Sequence, residues 1–144
     1  MKVFTNQRVI AATPQEIFKA IEHPALLSTW WGPAGFTNTF NVFEFKPNGK
    51  WTFVMHGPDG ADYPNENIFL EIECPSRVVI RHDCNPYFTA TLIIEAVEGG
   101  SLVKWNQDFD SAEVAESIAH IISPANIQLL DKLSALVMLR INNE

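Results

Sequence analysis

The chain has 144 residues, of which 47% are hydrophobic and 19% charged, values of a soluble globular protein long enough to bury a core in one domain and not of a disordered one. Its 17 acidic and 10 basic residues leave a net charge of −7 with no basic cluster to offset it, which argues against nucleic acid and anionic membranes as partners. The apolar runs are only a few residues long, far short of a membrane span, and the N-terminal MKVFTNQRVIAA alternates polar and apolar residues instead of forming a signal-peptide core. A cytoplasmic protein is the expectation. Cys74 and Cys84 flank a strand and are held apart by its pairing, so both are expected to be free thiols, as suits a reducing compartment.

In chain order, Val3 to Ala11 reads as a strand. Thr13-Pro14-Gln15-Glu16 is a capping-box pattern with proline at the first helical position, and a short helix follows with Ile17, Phe18 and Ile21 inward. His23-Pro24 ends it, and a second short helix runs from about Pro24 to Trp31, stopping at Gly32-Pro33. Strands are then predicted at Phe36–Phe45, Lys50–His56, Asn65–Glu73, Arg77–Asp83, Phe88–Ala96 and Leu102–Phe109. Turns at Pro47-Asn48-Gly49, Gly57-Pro58-Asp59-Gly60, Cys74-Pro75-Ser76 and Glu98-Gly99-Gly100 separate them. Asp110 or Ser111 caps another short helix with Glu113 completing a box.

The last predicted helix, Ser123 to Ile141, starts at a Ser-Pro cap. At 100° per residue, Ile122, Leu129, Leu130, Leu133, Leu136, Val137 and Ile141 share one face, with Gln128, Asp131, Lys132 and Ala135 opposite. Asn126 interrupts the apolar face near its start, and a polar group facing a core needs a partner, a water or a ligand. Arg140 lies on the same side near the end, where it suits the helix dipole. The expected architecture is α+β: a curved antiparallel sheet of about seven strands wrapped around the long C-terminal helix, with two short helices after strand 1.

Thr29-Trp30-Trp31-Gly32-Pro33 with Gly35-Phe36-Thr37, followed by Phe45-Lys46-Pro47-Asn48-Gly49-Lys50-Trp51, resembles the pattern of AHSA1-like (Hsp90-ATPase-activator-like) proteins of the SRPBCC, START or Bet v1-like superfamily. His56 to Gly60, Tyr63 to Glu66 and Trp105 extend the resemblance over nearly the whole chain. Lys46, Asn48 and Pro124 depart from the pattern, and the proline implies a break or kink before the long helix. The resemblance implies a helix-grip fold with a cavity between sheet and helix that takes an apolar or amphipathic small molecule.

Two-residue periodicity assigns the lining. Trp51, Phe53 and Met55 face inward, with Phe43 and Phe45. Pairing around Pro75 sets Ile72 against Val78, Leu70 against Ile80 and Ile68 against His82, which puts Glu66 inward and diagonal to His82. Phe88, Ala90, Leu92, Ile94, Val103, Trp105, Gln107 and Phe109 complete the inner face. The candidate ligand-binding residues are Trp30, Phe53, Met55, Glu66, His82, Trp105, Gln107, Asn126 and Leu130. Each also has a plainer reading: the tryptophans as core, Glu66–His82 as a structural pair, Asn126 as a backbone partner, Cys84 as a small buried hydrophobe.

The four histidines show no metal-ligand spacing, and no phosphate loop or nucleophile elbow is present, so no metal and no cofactor are expected. A carboxylate beside an imidazole in an apolar cavity could relay a proton, making Glu66 and His82 the catalytic candidates if the protein is a cyclase, isomerase or hydrolase-like enzyme. The expected partner is a small apolar molecule, with no nucleic acid and no membrane insertion. A homodimer is left open, and a role with an Hsp90-like chaperone ranks last.

Overall fold

In the computed structural model, which describes residues 2–143, the elements follow the expected order. They are β1 (Val3–Ile10), α1 (Pro14–Glu22), α2 (Pro24–Trp30), β2 (Thr37–Phe43), β3 (Lys50–His56), β4 (Asp62–Glu73), β5 (Arg77–His82), β6 (Phe88–Val97), β7 (Gly100–Phe109) and α3 (Ala112–Asn142). The sheet is antiparallel, in the order β1-β7-β6-β5-β4-β3-β2. Every strand from β2 to β7 pairs with its chain neighbour, and β1 returns to the far edge beside β7. The two short helices bridge the distance between the two edges, and α3 lies against the inner face. The result is the helix-grip arrangement that the residue pattern predicts.

Local chemistry sets the element ends. Thr13 Oγ1 accepts from the Glu16 N–H at 3.1 Å while the Glu16 carboxylate accepts from the Thr13 N–H at 2.9 Å, closing the capping box that starts α1. Trp30 ends α2 wholly buried, its indole N–H donating to the Ala20 carbonyl at 2.9 Å and tying α2 to α1. At the β2–β3 turn Asn48 takes φ 66° and Gly49 approaches backbone so closely that a Cβ would sit 1.9 Å from the Glu44 oxygen. Only glycine fits there.

Two expectations fail. The first concerns α3, which is one continuous helix of 31 residues, not a short helix followed by a long one. Its cap is Ser111, whose hydroxyl accepts from the Val114 N–H at 3.2 Å, while Asp110 pairs with Arg81. Ser123 is therefore no cap, and Pro124 lies within the helix. A helical proline forfeits one backbone bond. That loss falls on an exposed position, while Ala115 before it and Leu129, Leu130, Leu133 and Val137 after it are buried and hold both halves to the sheet. Leu136 and Ile141 pack at the margin of the same core.

The second concerns the register of β4 on β5. Ile72 opposes Val78 as expected, but a bulge between Phe69 and Glu71 then shifts the pairing by one residue. Phe69 opposes Ile80 and Asn67 opposes His82. A one-residue slip exchanges the faces of everything beyond it. Phe69 and Asn67 thus point inward and are buried, while Leu70 is 46% exposed and Glu66 is exposed. The bulge is anchored from the neighbouring turn, where the Phe69 N–H donates to the Gly49 carbonyl at 3.0 Å and the Asn48 N–H donates to the Phe69 carbonyl at 2.6 Å.

Candidate ligand-binding cavity

A cavity of about 220 Å³ opens between α3 and the inner face of the sheet. One wall is helical: Ile121, Ile122, Ala125, Asn126 and Leu129. The sheet supplies Met55, Asn65, Asn67, His82, Phe88, Trp105 and Gln107, and the segment after α2 supplies Trp31, Gly32 and Pro33. Ile121, 57% exposed, marks the mouth. Among the described residues, no Asp, Glu, Lys or Arg lines it.

Of the nine candidate ligand-binding residues, Met55, His82, Trp105, Gln107 and Asn126 lie in the cavity wall, as does Phe88 from the predicted inner face. Trp30, Phe53, Glu66 and Leu130 do not. Trp30 and Phe53 are buried in the core, Phe53 within an aromatic cluster 4.8 Å from Trp51. Leu130 is likewise core, one residue around the helix from the lining Leu129. Glu66 lies beyond the bulge on the exposed side, so the proposed Glu66–His82 relay does not assemble. Asn67 occupies the position next to His82 that Glu66 was expected to fill. The sequence does carry a sign of the bulge: Phe69 is a large aromatic on the opposite parity from Ile68, Leu70 and Ile72, and both parities cannot be buried in one regular strand. Of the adjacent pair, Trp31 and not Trp30 joins Trp105 in the lining, meeting Trp51 at 4.9 Å and Trp105 at 5.4 Å edge to face.

Asn65 Nδ2 donates to the Tyr63 carbonyl at 2.9 Å, and four other polar side chains form two sets. In the first, the Asn67 side-chain N–H donates to the Trp51 carbonyl at 3.2 Å, which turns Asn67 Oδ1 toward His82 Nδ1, 3.2 Å away. A carbonyl oxygen can only accept, so His82 carries its proton on Nδ1 and presents Nε2 as an acceptor to the Cys84 thiol at 3.3 Å. The His82 ring also stacks on Phe88 at 4.3 Å. Burial, reinforced by the nearby Arg81 charge, pushes the His82 pKa down to about 4. The imidazole is neutral at physiological pH and a weak base. In the second set, Asn126 Nδ2 donates to Gln107 Oε1 at 3.0 Å, both side chains being buried. This is the partner that the polar notch in the helix required.

The segment that carries Trp31 is held in place from both sides. Lys132 Nζ reaches the Gly32 and Pro33 carbonyls at 3.4 and 3.3 Å, and burial lowers its pKa. Gln128 Oε1 accepts from the Ala34 N–H at 3.0 Å. From β2, the Asn38 amide donates to the Ser28 and Trp31 carbonyls at 3.1 and 2.9 Å. The face of α3 that reads as solvent-facing thus serves to position a cavity wall.

An open antiparallel sheet gripping a long helix over an internal cavity defines a helix-grip protein of the SRPBCC or Bet v1-like kind. Residues 11–138 match the family described as Activator of Hsp90 ATPase homolog 1-like protein, and the chain belongs to that family. No curated protein matches it. Among solved structures, a protein from Arthrobacter aurescens superposes with TM-score 0.87 at 23% identity, covering 95% of this chain and 86% of that one. A protein from Nitrosomonas europaea gives 0.86 at 17% identity, with coverage of 96% and 95%. The AHSA1 protein from Silicibacter pomeroyi gives 0.78 at 20% identity, with coverage of 96% and 99%. At these identities the likeness is one of fold.

Proposed function

We propose that the protein binds a small apolar or amphipathic molecule in the space between α3 and the sheet, as a cytoplasmic binding module. The observation that carries this reading is the cavity itself, with apolar walls and two ordered sets of polar side chains converging on it. That composition is the usual one for a small-molecule site. The volume fits a modest ligand, since an apolar cavity of about 150 Å³ accepts a benzene ring. The two free cysteines fit a reducing compartment.

An acid–base enzyme is less well supported, because its carboxylate lies outside the cavity and its imidazole is held neutral. A role as a chaperone partner, the activity in the family's description, ranks below both, since the ordered polar groups converge on an interior and not on a surface.

Native mass spectrometry of freshly purified protein tests the binding reading. A small-molecule adduct is expected on the wild-type chain and is expected to vanish in Ala125→Phe, which fills the cavity from the helix side. Equal adduct occupancy in both proteins would overturn the reading.

A further inference from the structure

The hydrogen bond from Asn126 Nδ2 to Gln107 Oε1 uses one end of each amide. A side-chain amide has two ends, a carbonyl oxygen that accepts and an NH2 group that donates. The bond therefore leaves over Asn126 Oδ1, an acceptor, and Gln107 Nε2, a donor. Neither makes a hydrogen bond among the described residues, and neither is sealed in by surrounding atoms, as the Trp51 and Trp105 indole nitrogens are. Asn126 is 4% exposed and Gln107 5%, and both line the cavity, so the opening these atoms have is toward it. A buried polar group that faces a cavity without a partner costs free energy that a bound partner recovers.

The other polar lining groups make no such demand. Asn67 is held by the Trp51 carbonyl and His82, and His82 by Asn67 and Cys84. Asn65 donates to the Tyr63 carbonyl and is only partly buried, so its oxygen is not cut off from solvent. The Asn126–Gln107 pair joins the two walls, Gln107 from β7 and Asn126 from α3, and its bond holds the two amides side by side. With no charged side chain in the lining among the described residues, an ion brought there would lose its hydration with no counter-charge. An amide edge offers an acceptor and a donor without a charge. A flat ring behind that edge packs on the Trp31, Trp105 and Phe88 faces.

Resting on the binding reading above, we infer that the ligand is an uncharged ring molecule whose edge carries a hydrogen-bond acceptor beside a donor, as a cyclic amide does, and that Gln107 Nε2 and Asn126 Oδ1 read that edge. Three probes of nearly equal shape separate the requirements. The lactam 2-oxindole has acceptor and donor, 2-indanone the acceptor alone, and the hydrocarbon indane neither. Calorimetric titration of the wild-type protein at pH 7.5 is expected to rank them in that order. 2-Indanone should bind roughly 3- to 10-fold tighter than indane, the worth of one neutral hydrogen bond, and oxindole should gain a similar factor over 2-indanone. In the Asn126→Leu/Gln107→Leu double variant, which strands neither amide, the ratios between the three affinities should fall toward one.

Because that variant alters two buried residues, the wild-type protein supplies a second readout. The Gln107 side-chain amide protons are expected to move downfield with 2-indanone and oxindole relative to indane. If all three probes bind alike and those protons respond alike, the pair reads no polar edge, and the inference fails while the binding reading stands. If 2-indanone binds as tightly as oxindole, Asn126 takes no donor and the inference fails. If the wild-type ranking persists in the double variant, other groups read the edge and the inference fails. If none of the probes binds at millimolar concentration, the binding reading falls and takes the inference with it.

Discussion

Acidification should destabilise this protein through His82, and the effect can be sized. The ordinary pKa of the side chain is 6.5, and in the folded protein desolvation, with help from Arg81, brings it to about 4. Between those values the unfolded chain takes up a proton that the folded chain refuses. Stability therefore falls as pH drops from about 6.5 toward 4 and levels off below that, with no contribution above 6.5. The gap implies a loss of about 2 kcal/mol by pH 5 and about 3 kcal/mol when complete. Carboxylates add to acid sensitivity in the same direction: Asp110, held down by its hydrogen bonds from Arg81, and Glu16, held down by the Thr13 backbone N–H and then its hydroxyl. His82→Phe keeps a ring against Phe88 and removes the titration; the hydrogen bonds to Asn67 and Cys84 that go with it are lost at both pH values alike, so they and the carboxylate effects cancel in the pH-dependent difference between the two proteins. Urea melts at pH 7 and pH 5 should show wild type losing about 2 kcal/mol more than the variant. Parallel losses in the two proteins would refute the account of a buried, neutral imidazole.

Other substitutions test other parts of the molecule. Pro124→Ala should stabilise the chain by roughly 1–2 kcal/mol in a thermal melt, because the backbone is already helical there and alanine restores a donor. Asn126→Leu should cost about 1–3 kcal/mol by stranding Gln107, and pairing it with Gln107→Leu should recover much of that loss in a double-mutant cycle followed by urea denaturation. Trp30→Phe should lower stability by about 1–3 kcal/mol, since the Ala20 carbonyl loses its donor, yet leave adduct occupancy in native mass spectrometry unchanged. Glu66→Gln should change both quantities little, within about 0.5 kcal/mol in stability.

The fold was legible because its signals are local and repeat along the chain. The capping box at Thr13, the turn residues at Asn48 and Gly49, and the alternation in β6 and β7 each act within a few residues, and the apolar face of α3 set its packing side. The cavity was legible only in part. Trp105, Gln107 and Asn126 lie on the faces that periodicity gives them, because β7 and α3 are each one uninterrupted element. Glu66 was misplaced because a bulge at Leu70 depends on a contact with Gly49, some twenty residues away in sequence and outside any periodicity rule. The α3 boundary was misread because Ser123-Pro124 is locally a good helix start. Burial of residues on both sides of it outweighs that local preference.

The central claim is that the space between α3 and the sheet is open to a small molecule. Intermolecular NOEs from a small apolar probe, the hydrocarbon indane added to the protein, to side-chain methyls test it most directly. The account predicts contacts to Ile122, Leu129 and Met55, all of which line the cavity. Contacts confined to Val9, Ile127 and Leu139, which are exposed on the outside, would contradict it.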